Sequence, residues 1–173
     1  MNHLEENAVL ENEIENQECC PEFDVNKWDK KTFNWQDKPF IMESIPTFFH
    51  MPFVPMIGKK MRKMYELTEK YNANFEDKTD TLVMFHDPGA FKSEIYWAVT
   101  REVKEANNTN ISGSFVARVF DGPFNAVPKF IKEMDQYLAS DNKKAKDYYV
   151  HYAYCPDCAK KYGHNYMVLF ADI

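Results

Sequence analysis

The chain has few glycines, five in 173 residues. The glycine patterns that cradle phosphates or dinucleotides do not occur in it. A Gly-x-Ser-x-Gly elbow and a His-Glu-x-x-His helix are also missing, so those two hydrolytic centres are excluded. Basic charge is in deficit: 21 Lys and Arg stand against 27 Asp and Glu, a formal net charge of -6. A protein that grips nucleic-acid backbones is normally basic, so nucleic acid is not an expected partner. The same imbalance favours cationic ligands. No apolar run approaches the roughly 20 residues that span a bilayer, and a membrane is not an expected partner either. The opening "MNHLEENAVLENEIENQE" is acidic and has no apolar secretory core, so the expected location is the cytoplasm. Cytoplasmic thiols stay reduced, which makes the four cysteines thiols or metal ligands before disulfides.

Apolar side chains are abundant: 45% of residues are hydrophobic and 16% aromatic. That composition and length support a buried core in one domain or two half-domains. Residues 1–18 read as an acidic arm. Residues 19–42 read as an extended aromatic strap whose Trp28, Phe33 and Trp35 lie across the domain and bury their rings. Residues 43–173 then show one order of elements twice. In the first repeat, 43–103, "ESIPTFFHMPF" (43–53) is a strand. A helix from about Ile57 to Tyr71 sets Ile57, Met61, Met64, Tyr65 and Thr68 on one face. "DTLVMFHDP" (80–88) and "KSEIYWAVTREV" (92–103) are strands. In the second repeat, 111–173, "ISGSFVARVF" (111–120) is a strand and "DGPF" a turn. A helix from about Asn125 to Ala139 follows, then strands "DYYVHYAY" (147–154) and "NYMVLFADI" (165–173). One β-α-β-β unit leaves a sheet face bare, and two can cover each other. The expected fold is α+β: duplicated β-α-β-β units with antiparallel sheets, helices on one side and a ligand cleft on the other.

The second repeat adds a signature. "FVARVFDGPFNAVPKFIKEMDQYL" resembles the strand, Gly-Pro-aromatic turn and amphipathic helix of GyrI-like small-molecule-binding domains, here with Gly122-Pro123-Phe124 at the turn. The duplicated order over 43–173 is similar too. The resemblance implies a stand-alone member that binds lipophilic, often cationic, small molecules. It also implies an alternative, since some stand-alone members hydrolyse reactive strained-ring compounds. A pocket glutamate of that family finds its match in "SEIYWAV" (93–99).

Strand alternation singles out the same glutamate. Ser93, Ile95, Trp97 and Val99 share one face and suit the helices, while Glu94 and Tyr96 take the other and point into the cleft. A carboxylate among aromatic rings can hold a cation or act on water. On the tyrosine-rich strand, Tyr148, Val150, Tyr152 and Tyr154 share a face and Tyr149 and His151 the other. Alternation does not say which face meets the cleft, so Tyr149, His151 and Tyr152 are all candidate ligand contacts, together with His50. His86 reads first as a satisfied structural histidine. Met56, Met61 and Met64 suit an adaptable apolar surface, or simply core.

"CPDC" (155–158) has knuckle spacing, and Cys19, Cys20, Cys155 and Cys158 together would suit a structural zinc. Cys19 and Cys20 are adjacent, a poor second half, and His164 could substitute. A redox dithiol is a second reading, short of a strand–CxxC–helix context. The third is a plain hairpin loop, because the segment occupies the place of "HDPGAFK" in the first repeat. The leading functional expectation is a small-molecule binder whose Glu94 neutralises charge. The alternatives are a hydrolase of reactive electrophiles using Glu94 and tyrosines, and a protein-interaction or inhibitor role.

Overall fold

The computed structural model describes residues 20–173. The acidic arm and Cys19 lie outside the described residues. The elements are α1 (Val25–Trp28), β1 (Lys31–Phe48), β2 (Met51–Pro52), α2 (Val54–Lys70), β3 (Val83–Gly89), β4 (Lys92–Ala98), β5 (Asn108–Asp121), α3 (Val127–Ser140), β6 (Asp147–Tyr152), α4 (Pro156–Tyr162) and β7 (Tyr166–Asp172). The duplicated units are β1-α2-β3-β4 and β5-α3-β6-β7. All strand pairings are antiparallel. The order β1-β4-β3-β6-β7-β5 returns to β1 through an added β1–β5 pairing. Six strands therefore close into a barrel, and short β2 hangs on the end of β1.

The ring closes through the strap. Its residues from Lys31 onward are the first part of β1, an 18-residue strand, and pair with Ala117 back to Asn108 of β5. Three steps on β1, Trp35 to Lys38, match two on β5, Gly113 to Ile111. The extra residue is a bulge, with Asp37 at φ 50. It lets Phe33, Trp35 and Phe40 face one way despite the odd spacing between Trp35 and Phe40. Beyond Ile41 the strand continues with β4 alone, from Met42↔Tyr96 to Pro46↔Lys92.

The inner face is aromatic. Trp28, Phe40, Met84, Phe115 and Phe170 are buried there, with Phe33, Trp35, Tyr96 and Tyr149 packed against them. The face expected to line a cleft is thus the barrel interior, filled in large part by the chain's own rings. Both helices lie outside. On α2, Met64 is buried against Ile41, Ile45, Ile95 and Trp97. On α3, Phe130, Met134 and Leu138 cover Phe120, Met167 and Leu169. Phe120 and Phe130 stack at 4.7 Å. A Cβ at Gly122 would meet the Phe130 ring at 2.9 Å, so the turn needs glycine for close approach.

The link between β6 and β7 departs from the expected hairpin loop. It is a seven-residue helix. Pro156 stands in its first turn and Gly163, at φ 72, ends it. Proline at a helix start and left-handed glycine at its end are the usual stop signals.

Trp28 is a strap residue that packs edge-on to Phe170 at 5.9 Å inside the barrel. Trp28→Ala is expected to lower unfolding stability by about 3–5 kcal/mol, measured by urea titration. An unchanged midpoint would remove the strap from the core.

Candidate functional site

Polar groups of the inner face gather at one rim. Lys92 opens β4, Asp147 opens β6 and Asp172 closes β7. In the β3–β4 hairpin His86 lies opposite Glu94, and Asp147 lies opposite Asp172. Glu94 is 8% exposed. Its Oε2 accepts a hydrogen bond from the Tyr96 hydroxyl at 2.6 Å and lies 3.1 Å from His86 Nδ1. Its Oε1 receives Lys92 Nζ at 2.6 Å. The other ring nitrogen of His86, Nε2, lies 2.6 Å from Asp147. Both contacts of His86 are hydrogen bonds only when both nitrogens carry hydrogen. Tyr149 stacks on His86 at 4.7 Å and meets Tyr96 edge-on at 5.8 Å. The result is a chain Asp147–His86–Glu94–Tyr96 walled by tyrosines.

Burial pushes the Glu94 carboxyl up, but the bonds from Lys92, Tyr96 and His86 outweigh it and bring the pKa down to about 2. Glu94 is therefore an anion throughout the neutral range. Burial, and then the neighbouring Glu94 charge, hold the Tyr96 hydroxyl above its ordinary value. Tyr149 is raised by burial and by Asp147, Asp172 and Glu94. Both tyrosines keep their protons beside a rim rich in carboxylate, and Tyr96 donates its own to Glu94.

The structure brings Glu94, Tyr96 and Tyr149 together. His151 shares the inner face but sits deeper, 6.4 Å from Trp28, with Nδ1 2.8 Å from the Val83 carbonyl oxygen. Burial lowers its pKa. Tyr152 stands on the outer face, packed edge-on against Phe85 and Phe124, away from the rim cluster. His50 is in the β1–β2 turn at φ 65, exposed and 2.5 Å from Asp87. Sequence reasoning undervalued His86 and missed Lys92, Asp147 and Asp172. Hairpin counting does not find the pair: from Gly89↔Lys92 a regular ladder would set His86 opposite Ile95, and a register shift between His86 and Gly89 brings it opposite Glu94 instead.

At the other end of β6, a strand of six residues or about 20 Å, lies a second cluster. The sulfurs of Cys20, Cys155 and Cys158 are within 4.8 Å of one another. The Cys155 amide donates to Cys20 Sγ at 3.4 Å, and the Tyr162 hydroxyl donates to the Cys20 carbonyl at 3.1 Å. Burial raises the Cys20 thiol pKa strongly. These three thiols could hold a metal ion. Sulfurs around a tetrahedral metal at 2.3 Å lie about 3.8 Å apart, so a small inward shift would suffice. The fourth expected ligand, Cys19, lies outside the described residues, and His164 is held by Asp121 at 2.7 Å.

A model of the family described as "Bacterial hydrolase" matches residues 10–173. The chain belongs to this bacterial hydrolase family. The matching model carries that description and not the GyrI-like one. Two solved structures from Listeria innocua share the fold. One is described as an uncharacterized conserved protein, with TM-score 0.60, 11% identity, and coverage of 87% of this chain and 98% of that chain. The other is described as a hydrolase, with TM-score 0.57, 11% identity, and coverage of 87% and 99%. At that identity the likeness shows the fold alone. No curated protein matches the chain.

The Glu94 environment sets an acid limb. Its folded-state pKa lies below the ordinary 4.5, so the stability it contributes is complete above about pH 4.5 and is lost as pH falls toward about 2. Lys92 is half exposed, which discounts the contribution to on the order of 1–3 kcal/mol. Urea unfolding across that window should show Glu94→Gln with a shallower acid limb than wild type. Parallel limbs would mean the carboxylate gains nothing from its partners.

Proposed function

We propose that this member of the bacterial hydrolase family takes a small, lipophilic, positively charged or electron-poor molecule at the Glu94 rim. One observation carries the reading: a buried carboxylate, ionised at neutral pH, lies among aromatic rings with Asp147 and Asp172 alongside. Carboxylate charge with tyrosine faces is the chemistry that attracts organic cations. Lys92, half exposed, is the group an incoming cation would displace from Glu94.

The family's description adds hydrolysis as a second reading of the same rim. In the hydrolytic reading Glu94 orients water and stabilises positive charge that develops on the substrate. Tyr96, protonated at rest, donates its proton to the leaving oxygen, exchanging its bond to Glu94 for one to the substrate. Water's oxygen bonds to the electrophilic carbon as the bond from that carbon to the leaving oxygen breaks, and one water proton returns to the Tyr96 oxygen. A thermal-shift panel of lipophilic cations, planar neutral aromatics and strained-ring electrophiles tests binding, followed by product analysis on the hits. Cations should raise the wild-type midpoint, and Glu94→Gln should lose that rise. Tyr96→Phe should cut kcat by roughly 10²-fold with a smaller change in affinity. Binding with no product leaves a carrier; no shift in either protein removes the rim as a small-molecule site.

We also propose that the thiol cluster holds a structural zinc that fastens Cys20, at the start of the strap, to α4. Zinc needs thiolates, so loading releases the protons that burial keeps on Cys20. The purified protein should contain about one zinc per chain by elemental analysis. Cys158→Ser should lose the metal and lower the unfolding midpoint by roughly 10 °C. Metal-free wild type with an unchanged midpoint in the variant would dismiss the site.

A further inference from the structure

The structure carries an apolar knob that neither proposed site uses. Among the described residues, eight large hydrophobics stand exposed, and six of them cluster: Phe48, Phe49, Met51, Phe53, Val54 and Phe91. Phe48 is 66% exposed and Phe91 63%. They come from the β1–β2 turn, the β3–β4 turn and the start of α2. The rings of Phe48, Phe49 and Phe91 touch, at 4.7 Å, 5.6 Å and 6.5 Å. Backbone bonds hold the two turns together: Thr47 N–H to the Phe91 carbonyl at 3.0 Å and His50 N–H to the Ala90 carbonyl at 2.8 Å. Phe49 and His50 both take left-handed backbone, at φ 47 and 65, where Asn-Gly is the usual occupant. A phenylalanine there is strained, and the strain covers no core of this chain.

Cations stand directly behind the knob. Within the first turns of α2, Lys59, Lys60, Arg62 and Lys63 surround a groove of about 430 Å³ with Met56 and Glu66. Lys60 and Lys63 bond Glu43. Lys59 and Arg62 have no acidic partner among the described residues. At 1.5 Å rise per residue, these side chains sit about 8–14 Å from the knob at Val54. In a chain of net charge -6, four cations in five residues form a local exception.

We propose that this end of the molecule docks on an anionic lipid surface. The rings and Met51 enter the boundary between headgroups and acyl chains, and Lys59, Arg62 and their neighbours meet lipid phosphates. A second copy fits less well, because a two-fold contact through this patch would set the two basic groups against each other. Surface docking needs no spanning segment, and no helix among the described residues is long and apolar enough to cross a membrane. Glu94 lies two residues from Lys92 and opposite Ser44 on the strand that ends at Phe48, so docking would place the rim near a reservoir of lipophilic compounds. The inference stands whether or not the rim is catalytic.

The test is sedimentation of the full chain with vesicles of neutral phosphatidylcholine, with and without about one-third phosphatidylserine. Wild type should co-sediment with the anionic vesicles at low salt and be released at high salt. The triple change Phe48→Ser, Phe49→Ser, Phe91→Ser and the double change Lys59→Glu, Arg62→Glu should each reduce binding at least tenfold, with unfolding midpoints near wild type. As a measurement independent of those variants, Phe49→Trp should blue-shift its emission when anionic vesicles are added. No co-sedimentation and no emission shift overturns the proposal. So does concentration-dependent dimerisation that the phenylalanine changes abolish in a protein indifferent to vesicles.

Discussion

Closure of the barrel depends on one strand satisfying two neighbours at once. Phe40 and Ile41 of β1 pair with β4 on one side and β5 on the other. Ahead of them the strand belongs to β5, and after them to β4. A ring of six strands needs a filled interior, because voids forfeit the dispersion contacts that stabilise a core. β1 and the turn before it provide much of that filling through Trp28, Phe33, Trp35 and Phe40. The bulge at Asp37 makes this possible by keeping those rings on one face across an odd spacing.

The rim site is a by-product of the same closure. Its members come from β3, β4, β6 and β7, and the ladder holds them in register: His86 against Glu94, Asp147 against Asp172. Tyr149 and Phe115, ring centroids 6.0 Å apart, separate the charged rim from the apolar interior. The carboxylates are thus carried by rigid strands and solvated on one side only. The bonds from Lys92, Tyr96 and His86 keep Glu94 ionised although most of it is buried. The thiol cluster is set at the opposite end of β6, where the strap enters the fold.

Strand alternation made part of this legible. It sorted Glu94 and Tyr96 from Ile95 and Trp97, and the two groups do lie inside and outside the barrel. Alternation alone could not say which face of β6 turns inward, because that is decided by the partner strands; Tyr152 was grouped with Tyr149 and His151 for that reason. The bulge hid the strand within the strap. At Phe49-His50 the turn uses left-handed backbone without the Asn or Gly that normally signals it, so His50 read as strand. The helix between β6 and β7 is written in Pro156 and Gly163, but Cys155 and Cys158 at its start point equally to a knuckle or a loop. Asp147 and Asp172 are 25 positions apart and met only when β6 and β7 were paired.

The long first strand also sets the timetable of synthesis. Asp37 and Ser112, which share a hydrogen bond, are 75 residues apart. At 5–20 residues per second, a ribosome needs roughly 4–15 s to make that interval. Through that time the aromatic residues 28–41 exist without the strand that shelters them, and the first repeat has two open edges, at β1 and at β3. The nascent chain therefore spends seconds as a half-barrel with its stickiest segment exposed, and completion of β5 ends that exposure.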